Sequence, residues 1–234
     1  MMKRIWMAAV LAGLTASAHA TFIYNWTVGT AVPDGNPAGL VNNQTISDGI
    51  QGNESFLPNP YITSVTVRLD ISGGWNGDLY VYLRHETAGG TGFTELLNRV
   101  GTGVGNPIGY TDAGFGPDVS SNPFRLTGSA SDPDVHTYQN NSPTYHAGHL
   151  TGTWRVDQTG NGSFNSFAGL DPNGTWSLFV GDLSGNHIST LNGWGLELEA
   201  VPEPTTWAGI IFGALFCGTQ VVRRLRNRQA AQSS

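Results

Sequence analysis

Apolar and polar residues alternate along much of this chain with a period of two, the spacing of strands that bury one face. From Tyr61 to Ile71, Val65, Val67, Leu69 and Ile71 fall on one side and Thr66, Arg68 and Asp70 on the other. Gly73 to Gly77 then turns the chain, and Asp78 to Arg84 predicts the next strand, with Leu79, Val81 and Leu83 inward. Tyr80 and Tyr82 fall on its outer face, which predicts a covering layer or a packed loop there. The same period returns in Trp176, Leu178 and Val180 and, after the turn-forming Gly181, Asp182, Ser184, Gly185 and Asn186, in Trp194, Leu196 and Leu198. Turn chemistry between two alternating runs predicts adjacent, antiparallel strands.

Elsewhere the pattern is looser. Phe22, Tyr24 and Trp26 predict a first strand that Pro33 to Pro37 breaks, Thr45 to Ile50 a weaker second one, and Glu95 to Val100 a short one. Residues 101–172 hold only brief apolar runs, Phe124 to Leu126 and Trp154 to Val156, and predict long loops rather than a second domain. The fold class is therefore all-β, a single sandwich over residues 21–200.

Both ends differ from this body. Lys3 and Arg4, the apolar run Ile5 to Leu14 and Ala18-His19-Ala20 have the order of a secretory signal peptide spanning 1–20, cut after Ala20. At the other end Pro202-Glu203-Pro204 precedes an apolar stretch, 206–222, and a run rich in arginine from Arg223 to Arg228. Such a span with its basic flank predicts a membrane helix with a cytoplasmic C-terminus, at 201–228 overall. The single cysteine, Cys217, lies inside it and reads as an inert buried thiol, with a lipidation site as the alternative, so the body has no disulfide.

Charge narrows the partners. Residues 21–204 carry five arginines, no lysine and all 17 acidic residues, a net charge of −12. An acidic body argues against nucleic acid and for solubility or cation binding.

The tail resembles the PEP-CTERM sorting signal of Gram-negative bacteria, through Pro202, Glu203 and Pro204, the apolar helix and the terminal arginines. That resemblance implies an exosortase as partner, transient anchoring in the inner membrane, and display on the cell surface or in an extracellular matrix beside exopolysaccharide or other surface proteins. The body is similar to the P domain of proprotein convertases, a jelly-roll β-sandwich, through Trp75-Asn76-Gly77-Asp78-Leu79, Asn173 to Leu178 with Val180 and Asp182, and Leu191 to Leu196. The similarity covers residues 55–200, departs from the pattern between Phe124 and Trp154, and lacks the subtilase domain that P domains usually follow.

Candidate chemistry is sparse. The P-domain resemblance makes Asp78 and Asp182 neighbours able to hold Ca2+, with Asp112 a third ligand; the alternative is that each aspartate closes its own turn. His136, His146 and His149 lack a helical frame and read as solvent-facing loop histidines. No G-x-S-x-G elbow or other catalytic motif appears, so the expectation is a non-catalytic surface or matrix protein. The competing expectation is a membrane-anchored, calcium-dependent carbohydrate-binding or adhesion module, with Trp75 and Trp154 as stacking surfaces.

Overall fold

The computed structural model describes residues 20–47, 60–116 and 122–202, with 213, 216 and 218–220 in the tail. The signal-like stretch before Ala20, Glu203, Pro204 and most of the apolar tail lie outside the described residues. Among the described residues no helix is long and apolar enough to cross a membrane.

The described residues of the body form an all-β sandwich of ten strands in two sheets. They are β1 (Ala20–Ala31), β2 (Asn36–Ile46), β3 (Pro60–Gly73), β4 (Leu79–Thr87), β5 (Gly90–Asn98), β6 (Phe124–Thr127), β7 (Thr144–His146), β8 (His149–Arg155), β9 (Gly174–Asp182) and β10 (Ser189–Pro202). The larger sheet has the order β1-β10-β3-β6-β8-β7 and the smaller β2-β9-β4-β5. Every pairing is antiparallel except β6 with β8.

The inward phases predicted for β3, β4, β9 and β10 all hold. Val67, Leu69, Ile71, Leu79, Val81, Leu83, Trp176, Leu178, Val180, Leu196 and Leu198 are all buried in the core between the sheets. The pairing of β9 with β10 does not hold. They belong to opposite sheets, β9 between β2 and β4 and β10 between β1 and β3. The Gly/Ser/Asn segment between them crosses from one layer to the other instead of forming a hairpin. Two strands facing each other across a core show the same sequence alternation as two strands side by side.

Two further expectations are corrected. The second strand, Asn36–Ile46, starts nine residues before the predicted Thr45 to Ile50, whose last three residues lie outside the described ones: after a two-residue turn at Asp34 and Gly35 the chain re-enters extended structure at once. The region 101–172 is not only loop. Its brief apolar runs are β6 and β8, which extend the larger sheet, and β7 closes a hairpin onto β8. Four to seven residues suffice because each strand is pinned by neighbours rather than by its own length.

Among the described residues the outward tyrosines of β4 meet neighbouring rings of their own sheet rather than a covering layer or loop. Tyr82 stacks on Phe179 of β9 at 4.7 Å and 9° and tilts against Phe93 of β5 at 5.2 Å, while Tyr80 meets Tyr82 edge-on. The rings form a cross-strand row, and such pairs each contribute up to about 1 kcal/mol to a sheet.

The repeated Gly-Thr-Trp at 152–154 and 174–176 has a common local logic. Gly152 and Gly174 both take positive φ, +99° and +135°. Each following indole turns inward and its Nε1 donates to a carbonyl just upstream, Trp154 to Thr151 O at 3.0 Å and Trp176 to Pro172 O at 3.0 Å. A buried indole N–H needs such an acceptor.

Candidate functional site

Three connections meet at one pole of the sandwich: the β1–β2 turn with Asp34, the β3–β4 segment 73–78, and the β9–β10 crossing 183–188. Gly74, at φ +65°, allows the closest approach, since a Cβ there would lie 1.9 Å from Ser189 Oγ. Asp78 ends a single 3-10 turn, Asn76–Asp78, that leads into β4, and Asp182 ends β9 opposite Leu79. The backbone ties them directly, Leu183 N donating to Asp78 O at 2.9 Å.

Both carboxylates are buried, at 1% and 0% exposure. Asp182 Oδ1 accepts a long bond from Ser184 N at 3.4 Å, but Asp78 Oδ2 and Asp182 Oδ2 have no hydrogen-bond partner. Ser189 Oγ is also buried beside them without a well-formed hydrogen bond. Burial pushes the Asp78 carboxyl above its ordinary value; the Ser184 hydroxyl, Arg99 and His187 oppose this, and Asp34 adds to it. Burial likewise raises Asp182, opposed by the Ser184 amide, with Asp78 and Asp34 adding their repulsion and the Ser189 hydroxyl facing it in opposition. Two like charges are thus held close in a dry place with free oxygens, a costly arrangement unless a cation or a proton joins them.

The third predicted ligand, Asp112, adjoins the turn of Asp78 through its carbonyl, which accepts from Asn76 N at 2.9 Å, but its carboxylate is engaged by other groups. Asp112 Oδ2 accepts from Tyr138 Oη at 2.7 Å, Gln139 Nε2 at 2.7 Å and Tyr145 Oη at 3.3 Å, so that oxygen is already fully engaged in bracing a loop. The carboxylate that does act on the pair is Asp34, which sequence reasoning passed over; its Oδ2 accepts from Asn186 N at 2.9 Å across the β9–β10 crossing. The only local signal was an Asp-Gly turn. Among the described residues no group of three His, Cys, Asp or Glu side chains is placed to form a complete metal cage. Asp78 and Asp182, with the Ser184 and Ser189 hydroxyls, nevertheless match the oxygen donors a hard cation takes, the remainder coming from backbone carbonyls and water.

The aromatic candidates part company. Trp75 is half-buried at this same pole, stacked on His187 at 3.9 Å and 19°. Trp154 is core, 4% exposed and edge-on to Tyr138. It cannot serve as a stacking surface, because the inward phase of β8 turns it between the sheets.

The histidines divide too. His146 and His149 are not on one strand but face each other across a two-residue turn, the first exposed and the second reaching Ile71 O at 3.3 Å. His136 is buried, contrary to expectation. Its Nδ1 lies 2.9 Å from Asp157 Oδ2 and its Nε2 2.9 Å from Thr102 O. Both neighbours are acceptors, and two acceptors call for two donors, which favours the protonated ring. Burial opposes that charge, but Asp157, Thr102 and Asp134 together hold His136 above its ordinary value. His85, buried against Trp176 with only carbonyls at its nitrogens, is shifted down by burial instead. The carboxylate makes the difference.

A pH consequence follows for His136. A raised folded-state value stabilises the fold fully below about pH 6.5, the unfolded value, and the contribution is lost as pH rises through the folded one. Urea midpoints measured from pH 6 to 9 should fall, and the fall should be smaller in His136→Gln; an equal slope in both would exclude this pair as its source.

No family model matches the sequence, and comparison with curated proteins finds no match. Among solved structures, a chain from the complex of the Aeromonas sobria serine protease with its chaperone is similar at TM-score 0.41 and 15% identity over 79% of this chain. A structure of the serine protease of Aeromonas sobria is similar at TM-score 0.40 and 14% identity over 78%. This chain spans 27% of the length of each.

Proposed function

We propose that this chain is an exported, non-catalytic display module of the cell surface or extracellular matrix, with a P-domain-like jelly-roll body whose loop pole is ordered by calcium. The observation that carries the calcium reading is the pair of buried, unpartnered oxygens Asp78 Oδ2 and Asp182 Oδ2. A cation between them would add to the partial compensation that Arg99 and His187 give Asp78, and would tie the 73–78 segment to the β9–β10 crossing. Enclosed this deeply it serves as a structural ion, since a cation that bridges to a sugar needs an open coordination position. Export and sorting are inferred from the two ends, the signal-like leader and the Pro202, Glu203 and Pro204 motif with its apolar tail. A cut after Ala20 would cost β1 only its terminal pairing with Ala200.

The test is the thermal midpoint with and without calcium. At about 100 times the dissociation constant a ligand bound only to the folded state adds about 2.7 kcal/mol, a rise of roughly 5–10 °C for a body of this size. Asp182→Asn should abolish that rise. In a chelator the same variant should equal or exceed the natural protein, because it removes one of two repelling charges. The pH profile supplies a second sign. Without calcium, carboxyls whose folded values are raised bind protons more readily when folded, so stability falls as pH rises from the ordinary carboxylate value through the folded one. Calcium, which needs the deprotonated pair, should remove that slope. A midpoint unmoved by millimolar calcium would sink the reading. Intact mass of the natural protein in membrane and extracellular fractions tests the sorting: a soluble form ending near Pro202 to Pro204 is expected, and a full-length tail confined to membranes would instead favour a permanently anchored adhesion module.

A further inference from the structure

An unpaired strand edge offers free N–H and C=O groups to any strand of matching length, and folded proteins shorten, charge or cover such edges. Among the described residues this sandwich protects one side in that way and not the other. β7 is three residues long. β5 is capped from outside by the segment after β8: Ser166 Oγ accepts from Phe93 N at 2.9 Å and donates to Phe93 O at 2.6 Å. Asp157 N donates to Leu96 O at 3.2 Å, and Asp157 Oδ2 accepts from Asn98 N at 3.0 Å.

β1 and β2 are the edges of the two sheets on the opposite side, joined by the short turn at Asp34 and Gly35 and so lying one over the other. They are 12 and 11 residues long and contain no charged residue; Asp34, in the turn at the loop pole, is the sole charge in residues 20–47. Register shifts break the pairing between Thr27 and Thr30 and between Asn36 and Leu40. Regular strand therefore runs over 20–27 and 40–46, and no described segment caps these edges. Ile23 and Val41, at 56% and 53% exposure, stand on them as apolar side chains open to solvent.

We propose that this side is an interface for a second copy of the same chain, joined by edge-to-edge pairing of β1 and β2. The choice of partner rests on charge. A body of net charge −12 repels its own copy through most of its surface, whereas two uncharged edge strands, with Glu197 and Glu199 one strand further in, let the copy approach without setting like charges directly against each other. A two-fold arrangement would extend both sheets at once and bring Ile23 and Val41 against new cross-strand neighbours. The inference depends neither on the cation nor on the tail.

Sedimentation velocity of the full chain in a mild detergent, over a concentration series at low and at high salt, tests it. A dimer is expected whose fraction grows with salt, because screening weakens the repulsion between the acidic bodies while leaving backbone pairing intact. Ile23→Lys with Val41→Lys should weaken it by about tenfold or more, while Thr91→Lys on the capped edge strand β5 should leave it unchanged. A natural protein monomeric throughout, or a dimer that survives the two lysines, would overturn the proposal, the latter by placing association in the tail or on another face. Should the lysine variant misfold, amide hydrogen exchange of the natural protein decides: protection within 21–27 and 40–46 must rise with concentration, and concentration-independent exchange there refutes the interface.

Discussion

Trp176→Ala is expected to lower the unfolding free energy by about 3–5 kcal/mol, the range for removing a buried large aromatic. Trp176 is fully buried at the start of β9 and lies between two rings, His85 at 3.8 Å and 12° and Phe167 at 5.5 Å and 17°. Its loss leaves a cavity bounded by groups that cannot collapse inward, since His85 is held by the carbonyls of Asp171 and Thr175. The stack also joins β4 and β9 to the 3-10 turn Phe164–Phe167, so the damage should spread to the loop that covers β5. Chemical denaturation at fixed calcium measures it. Trp176→Phe keeps a stacked ring but strips Pro172 O of its donor, and should recover most of the loss. A cost below about 1 kcal/mol for the alanine variant, less than even a single well-placed hydrogen bond is worth, would mean that the stack is not holding these elements together.

The second large effect is expected at Asp157. Its carboxylate is fully buried and accepts from His136 Nδ1, from Asn98 N at 3.0 Å, and from Thr159 N and Oγ1 at 2.9 and 2.6 Å. Asp157→Ala removes the counter-charge that holds the proton on a buried histidine and leaves two backbone N–H groups without an acceptor, a loss of about 3–5 kcal/mol. The pH signature identifies the cause. Without the carboxylate, burial governs the ring as it does at His85, so the variant should lose the stability slope above neutral pH. Urea titrations at pH 6 and pH 8.5 give the answer: the gap between natural protein and variant should narrow at the higher pH, and a constant gap would attribute the loss to the backbone donors alone.

The sequence disclosed those parts of the fold in which one residue's neighbours decide its role. β3, β4, β9 and β10 are legible because each buries a full face, and the alternation of Val67, Leu69 and Ile71 or of Trp194, Leu196 and Leu198 records it. β2 was misplaced because it is an edge strand with a wet outer face, and Asn42, Asn43, Gln44 and Thr45 carry no apolar period. The assignment of β9 and β10 to opposite sheets was hidden because burial reports depth and not partnership. At the site, Asp78 and Asp182 were legible as strand-end aspartates beside glycine. Asp34 was not, because it reaches the pair across 152 residues of sequence through Asn186. Trp154 and His136 were misjudged for a related reason: turn-rich sequence around them suggested exposure, whereas β8 and a buried carboxylate draw them inside.

The register of β10 fixes which way the body faces. Ala20 pairs with Ala200 and Pro60 with Pro202 at one pole, while Ser189, Asp34 and the Asp78–Asp182 pair occupy the other. β10 runs the whole distance, 14 residues or about 45 Å. A body tethered through the chain that follows Pro202 would therefore stand upright, with its aspartates and Trp75 held outward like the head of a pin. Whatever those groups meet would come from the surroundings and not from the surface to which such a tether was fixed, and cutting the tether would free the body without disturbing that distal end.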